Sequence, residues 1–150
     1  MKRLNGTASA AVATPVEECL ALLVAVDRYP SWDPEVVQEV EVVEVDVDGR
    51  PAKARTTLHV SHGPLLRDFH LLLAIRVERP GTVKLARIPR DGSDQQRFDV
   101  TWRLEDRGDT RIALELHANL SVPALVPLGR VGDAIAEGFV RAATKELSTE

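Results

Sequence analysis

The sequence predicts an α+β fold: an antiparallel sheet of about seven strands curved around one long C-terminal helix, with two short helices after the first strand. Two stretches carry that prediction. Residues 94–119 hold two alternating strands, with Phe98, Val100, Trp102 and Leu104, then Ile112, Leu114, Leu116 and Ala118, on one side. Arg97, Asp99, Thr101 and Arg103, then Arg111, Glu115, His117 and Asn119, fall on the other side, because strand side chains alternate faces. A helix follows with Leu128, Val131, Ile135, Phe139 and Ala142 on one stripe. A sheet with one apolar face needs a cover, and this helix is the natural one. Space between them, rather than a catalytic motif, is the functional signal.

The remaining elements follow in chain order. A short first strand is predicted over 7–12. Thr14-Pro15-Val16-Glu17 then signals a helix start: Thr14 caps, Pro15 takes the first helical position, and Glu17 completes a capping box. That helix runs to about residue 24, with Val16, Leu20 and Leu23 on one stripe. Asp27 starts a second short turn running into Tyr29-Pro30-Ser31-Trp32-Asp33-Pro34, where two prolines bracket Trp32 and forbid a continued helix. Residues 36–47 read as a long β-branched strand. Val40 and Val42 lie on one face and Val43 and Val45 on the other, so the apolar phase switches, as at a bulge.

Asp48-Gly49 makes a hairpin turn into a return strand over 51–61, where Ala54, Thr56, Leu58 and Val60 oppose Lys53, Arg55, Thr57 and His59. Gly63-Pro64 breaks the chain before a strand over 67–78, with Phe69, Leu71, Leu73, Ile75 and Val77 on its apolar face. Pro80-Gly81 turns into a shorter strand over 82–88. A loop at Arg90-Asp91-Gly92-Ser93 precedes the two closing strands, which join through Arg107-Gly108-Asp109.

The chain of 150 residues is expected to form one domain, 1–150. A formal net charge of −4, with Arg and Lys spread among Glu and Asp, argues against a nucleic-acid partner. No run approaches the roughly 18 apolar residues of a bilayer span, so stable membrane insertion is not expected. Lys2 and Arg3 are followed by alternation rather than an apolar core, which argues against a signal peptide. Cys19 is the only cysteine, which excludes an internal disulfide or a cysteine metal cluster and fits a reducing cytoplasm.

Several short motifs resemble those of the START-like helix-grip superfamily, SRPBCC, and within it the bacterial polyketide cyclase/dehydrase and lipid-transport group. They are Tyr29-Pro30-Ser31-Trp32, Val40-Glu41-Val42 leading to Asp48-Gly49-Arg50-Pro51, Val100-Thr101-Trp102-Arg103-Leu104, and the Pro123/Pro127 entry into the last helix. The resemblance spans about residues 8–147. It implies a cavity between sheet and helix for a lipid, polyketide, sterol, quinone or hormone-like molecule. One departure matters: several relatives carry an aromatic residue in the short fifth strand, which here reads Val83-Lys84-Leu85-Ala86-Arg87. With an aromatic content of 4%, an aliphatic or flexible ligand suits the walls better than a planar polycycle.

His59, His70 and His117 fall on the polar strand faces, and His62 in a turn, so all four are expected at the surface. No His-x-His or His-x-x-x-His pair exists, and neither metal nor cofactor is expected. Asp33 before Pro34 reads first as a turn cap; otherwise it accepts a hydrogen bond from a polar ligand head. Arg87 reads first as fraying into solvent. If alternation holds to the strand end it points inward, and then it needs a partner carboxylate or a ligand acid. Thr56 is the one hydroxyl in its apolar row, available to a ligand or to the barrel.

Gly132 and Gly138 either let the last helix approach the sheet or leave volume beneath it. Tyr29 and Trp32 form a pocket rim or a core plug. The expected ligand-binding set is these two with Asp33, Thr56, Leu58, Val60, Phe69, Leu71, Leu73, Leu85, Arg87, Phe98, Val100, Trp102, Leu114, Leu116, Val131, Ile135 and Phe139. The leading expectation is non-catalytic binding of a small apolar molecule. An aromatase/cyclase-type enzyme is the alternative, strengthened by an inward Arg87 with a carboxylate partner. A protein-interaction module is the second alternative; it predicts a collapsed cavity and an exposed apolar patch.

Overall fold

Alternation of apolar and charged residues in the strand segments builds one seven-stranded antiparallel sheet. In the computed structural model, which describes residues 2–62, 65–78, 81–120 and 130–148, its spatial order is β1-β7-β6-β5-β4-β3-β2. The strands are β1 (Lys2–Val12), β2 (Val37–Val45), β3 (Pro51–His62), β4 (Leu65–Val77), β5 (Thr82–Arg87), β6 (Arg97–Arg107) and β7 (Asp109–Leu120). Helix α1 (Val16–Val24), a 3-10 turn (Val26–Arg28) and helix α2 (Tyr29–Trp32) link β1 to β2, and α3 (Val131–Ser148) closes the order. The first strand is longer than the sequence suggested, because β7 pairs with it from Lys2 to Val12.

Two local expectations need correction. Pro15 is the N-cap of α1 and no side chain caps that helix; the Thr14 hydroxyl instead donates to the Leu147 carbonyl (3.2 Å), tying α1 to the end of α3. Pro30 lies inside α2, but in its first turn, where the missing N–H breaks no helical bond. The switch of apolar phase in β2 is present as register shifts between Val37 and Glu39, Val42 and Glu44, and Glu44 and Val45. The expectations at Gly63-Pro64, Pro80, Pro123, Pro127 and Leu128 lie outside the described residues.

The buried face of α3 is turned from the expected stripe. Val131, Gly132, Ala136, Phe139, Val140, Ala143 and Leu147 are buried, whereas Ile135 and Ala142 are half-buried. Close approach decides this. The helix crosses β1 at Gly6 and Gly132, where a Cβ on Gly6 would stand 2.1 Å from the Gly132 carbonyl oxygen. Backbone therefore rests on backbone there, and the small residues Gly132, Ala136 and Ala143 face the sheet. Gly132 serves tight packing; a Cβ on Gly138 would meet nothing within 4 Å.

Candidate functional site

Because α3 lies chiefly on β1, and next on β7, the sheet is sealed by direct packing on that side. Leu114, Leu116 and Val131 are buried there. The remaining space is displaced toward β2–β6 and the 3-10 turn. It is a void of about 30 Å³, lined by Val26, Tyr29, Val37, Val40, Ala54, Thr56, Leu58, Leu73, Ile75, Leu85, Phe98, Val100, Trp102 and Phe139. Such a volume holds about one or two water molecules. The indole of Trp102 meets the ring of Phe139 edge-on (centroids 6.4 Å, interplanar 84°), so sheet and helix touch directly beside the void.

Of the expected set, Tyr29, Thr56, Leu58, Leu73, Leu85, Phe98, Val100, Trp102 and Phe139 meet around this void. Val60 and Phe69 are buried in the core away from it, and Ile135 is half-buried and does not line it. Sequence reasoning passed over Val26, Val37, Val40, Ala54 and Ile75 as lining. Ala54 and Ile75 stood in apolar rows, and that was signal enough. Val26 had none, since its place depends on how the 3-10 turn folds under the sheet.

A second, open trough of about 840 Å³ crosses β2, β3, β4 and the end of β5, with Pro30, Gln38, Leu71, His70, Arg87 and Pro89 among its lining. Val40 and Thr56 border both spaces.

The polar groups buried near this interior are few. Tyr29 packs on Trp32 (centroids 4.7 Å) and its phenol donates to the Leu23 carbonyl (2.6 Å). Burial pushes that phenol above its usual range, while the adjacent Trp102 indole N–H acts weakly the other way. That N–H nevertheless finds no acceptor at hydrogen-bond geometry, and neither does the N–H of Trp32. The indole is near enough to the phenol to act on it, but the Trp102 donor is unpaired at hydrogen-bond geometry.

Asp33 is 7% exposed, and its Oδ2 is buried without a partner. Its backbone carbonyl accepts from Val36 and Val37, but the side chain caps nothing, contrary to the turn-cap reading. Burial, with the Glu35 charge adding to it, pushes the carboxyl up to about 6.

Arg87 does point inward, so the fraying reading fails: its side chain is 4% exposed and one guanidinium nitrogen is 2.6 Å from Asp94 Oδ2. A second donates to the Gln96 carbonyl (3.0 Å). Asp94 also accepts from the backbone N–H groups of Arg90 (3.0 Å) and Gln96 (3.1 Å). The Arg87 bond, with those backbone donors, holds the carboxyl well below the usual carboxylate range. Sequence reasoning required a carboxylate here but did not choose one, because Asp91 and Asp94 share the β5–β6 loop and only the fold selects between them. The pair staples that loop.

The histidines with described side chains lie on the polar side, as strand alternation dictates. His59 Nδ1 is 2.6 Å from Asp68, His70 Nδ1 3.2 Å from Thr57 Oγ1, and His117 Nδ1 3.1 Å from Asn5 Oδ1. The side chain of His62 lies outside the described residues.

This architecture, a curved antiparallel sheet closed by one long helix with two short helices after β1, is the START-like helix-grip fold. Its likeness to solved structures is full-length. A START superfamily protein from Mycobacterium smegmatis superposes with a TM-score of 0.78 at 12% identity, covering 97% of this chain and 98% of that one. Ara h 8.0201 gives a TM-score of 0.64 at 16% identity, over 99% and 100% of the two chains. The di-domain ARO/CYC BexL from the BE-7585A biosynthetic pathway gives 0.68 at 8% identity, over 99% of this chain but 51% of that one. No protein-family model matches the sequence, and no curated protein does.

Proposed function

We propose that this chain, acting as one domain, binds a small hydrophobic or amphipathic molecule of lipid, quinone or polyketide-like character between its sheet and α3, without catalysis. One observation carries the reading: the space is lined by apolar side chains from five strands, α3 and the 3-10 turn, and among the described lining only Thr56, Tyr29 and Trp102 carry a polar side-chain atom. Apolar walls hold a ligand by desolvation, at roughly 25 cal/mol per Å² buried. The void of about 30 Å³ is the closed state, and a lipid-sized occupant requires the walls to part. The described lining offers no acid–base pair, since Tyr29 is its one titratable group and is tied to a carbonyl. The unpaired Cys19 fits a cytoplasmic setting.

Three observations support other readings. Arg87 points inward with the Asp94 carboxylate as its partner, the condition that strengthens the cyclase-type alternative, although among the described linings it borders the open trough and not the void. A near-neutral, unpartnered Asp33 is what a cyclase-type enzyme would use as a base. It borders neither the void nor the trough among their described linings. Exposed Val43 (40%), Val45 (57%) and Val47 (101%), with so small a void, are what an interaction module would display. Native mass spectrometry of the protein from its own host, followed by solvent extraction, tests the proposal. A stoichiometric bound lipid, quinone or polyketide supports it; a bare chain across several growth conditions overturns it.

A further inference from the structure

The interior presents a hydrogen-bond donor without an acceptor. Trp102 is 0% exposed, lines the void, and its indole N–H is unpaired. A buried unmade hydrogen bond is costly, and an indole nitrogen can only donate. Whatever enters beside it should therefore bring an acceptor. The neighbouring groups narrow the kind. The described lining of the void holds no cation, and Arg87 outside it is already matched by Asp94, so an anionic acceptor would sit unpaired in an apolar space. A hydroxyl would satisfy the indole but bring a fresh donor, for which the described lining offers only the Thr56 and Tyr29 hydroxyl oxygens, since the Leu23 carbonyl already accepts from the Tyr29 phenol. A carbonyl oxygen carries lone pairs and no proton, so it meets the need without creating another.

We infer that the ligand site is built for a neutral carbonyl compound, a ketone, ester or quinone, whose oxygen accepts the Trp102 indole N–H. This deepens the binding reading and rests on it.

Cyclohexanone and methylenecyclohexane test it, being near-isosteric and differing in C=O against C=CH₂. Each is titrated into the ¹⁵N-labelled full chain while the two indole N–H resonances are followed, assigned with Trp32→Phe. The expected result is a downfield shift of the Trp102 N–H with the ketone alone. Trp102→Phe should weaken the ketone about tenfold, the worth of one neutral hydrogen bond, and change the hydrocarbon about twofold or less. Trp32, which lies outside the described lining of the void, serves for the assignment alone. If both probes bind and the Trp102 N–H responds to neither, or to both alike, the carbonyl assignment falls and the apolar site stands. If neither binds, both fall. The resonance readout uses the unmodified protein, so a misfolded Trp102→Phe would not spare the idea.

Discussion

The β6–β7 and β2–β3 pairs are built from similar amounts of chain yet behave as opposites. From Arg97↔Asn119 to Arg107↔Asp109 the first runs without a register shift, and Phe98, Val100, Trp102 and Leu104 are all buried. The second shifts at three places, and of the β2 residues only Val37 is buried. Position explains the contrast. β6 has neighbours on both sides, while β2 is an edge whose bulges and acidic residues discourage further pairing. The void lies between these regions, with Phe98, Val100 and Trp102 on the firm side and Val37 and Val40 on the loose one. A ligand larger than the void would thus be admitted by movement of β2, because yielding there disrupts the least packing.

The comparison can be broken by substitution. Trp102→Ala, on the firm side, should cost about 3–5 kcal/mol in a denaturant melt and abolish uptake of any bound species. Gly6→Val, where α3 crosses β1, should cost about 3 kcal/mol or more, since the new Cβ meets backbone that has nowhere to move.

Asp33, at the entrance to β2, gives a pH test. Its unfolded carboxyl ionises near 3.8 and the folded one near about 6, so the native state holds the proton more tightly. Stability should be greatest below the lower value, fall by roughly 3 kcal/mol as pH rises between the two, and then level off. Asp33→Asn should remove that slope; a slope that persists in the variant would assign it to another group and refute the role given to Asp33. Val40→Ala, across the void from Trp102, should cost only about 1 kcal/mol, and a loss equal to that of Trp102→Ala would erase the contrast. His117→Ala, on the outer face, should stay within about 0.5 kcal/mol and leave uptake intact.

Legibility tracked the same divide. Along β6 and β7 an unbroken period of two placed the apolar inward residues correctly, because nothing interrupts alternation there, and it passed over the buried Thr110 at the start of β7. In β2 the sequence betrayed a phase switch, but where each bulge falls depends on pairing with β3. On α3 the apolar stripe was read about one position away from the buried face, because small residues count little in a hydrophobic pattern yet permit the closest contact. Gly132, Ala136 and Ala143 are of that kind. Asp33 read as a turn cap because an Asp before Pro normally serves that end; only its burial after α2 removes the partner.

By itself the sequence determined the order of strands and helices, the polar face that carries the histidines, and the apolar rows from which the interior is made, since these depend on local periodicity. The tertiary structure decided which members of those rows enclose space and which pack solid. That choice rests on the Gly6–Gly132 crossing, which pulls α3 onto β1 and leaves the remaining void beneath β2–β6. It also paired Arg87 with Asp94 and left the Trp102 indole without an acceptor. Hydrogen-bond partners that lie apart in the chain are chosen by the fold, and no periodicity encodes them.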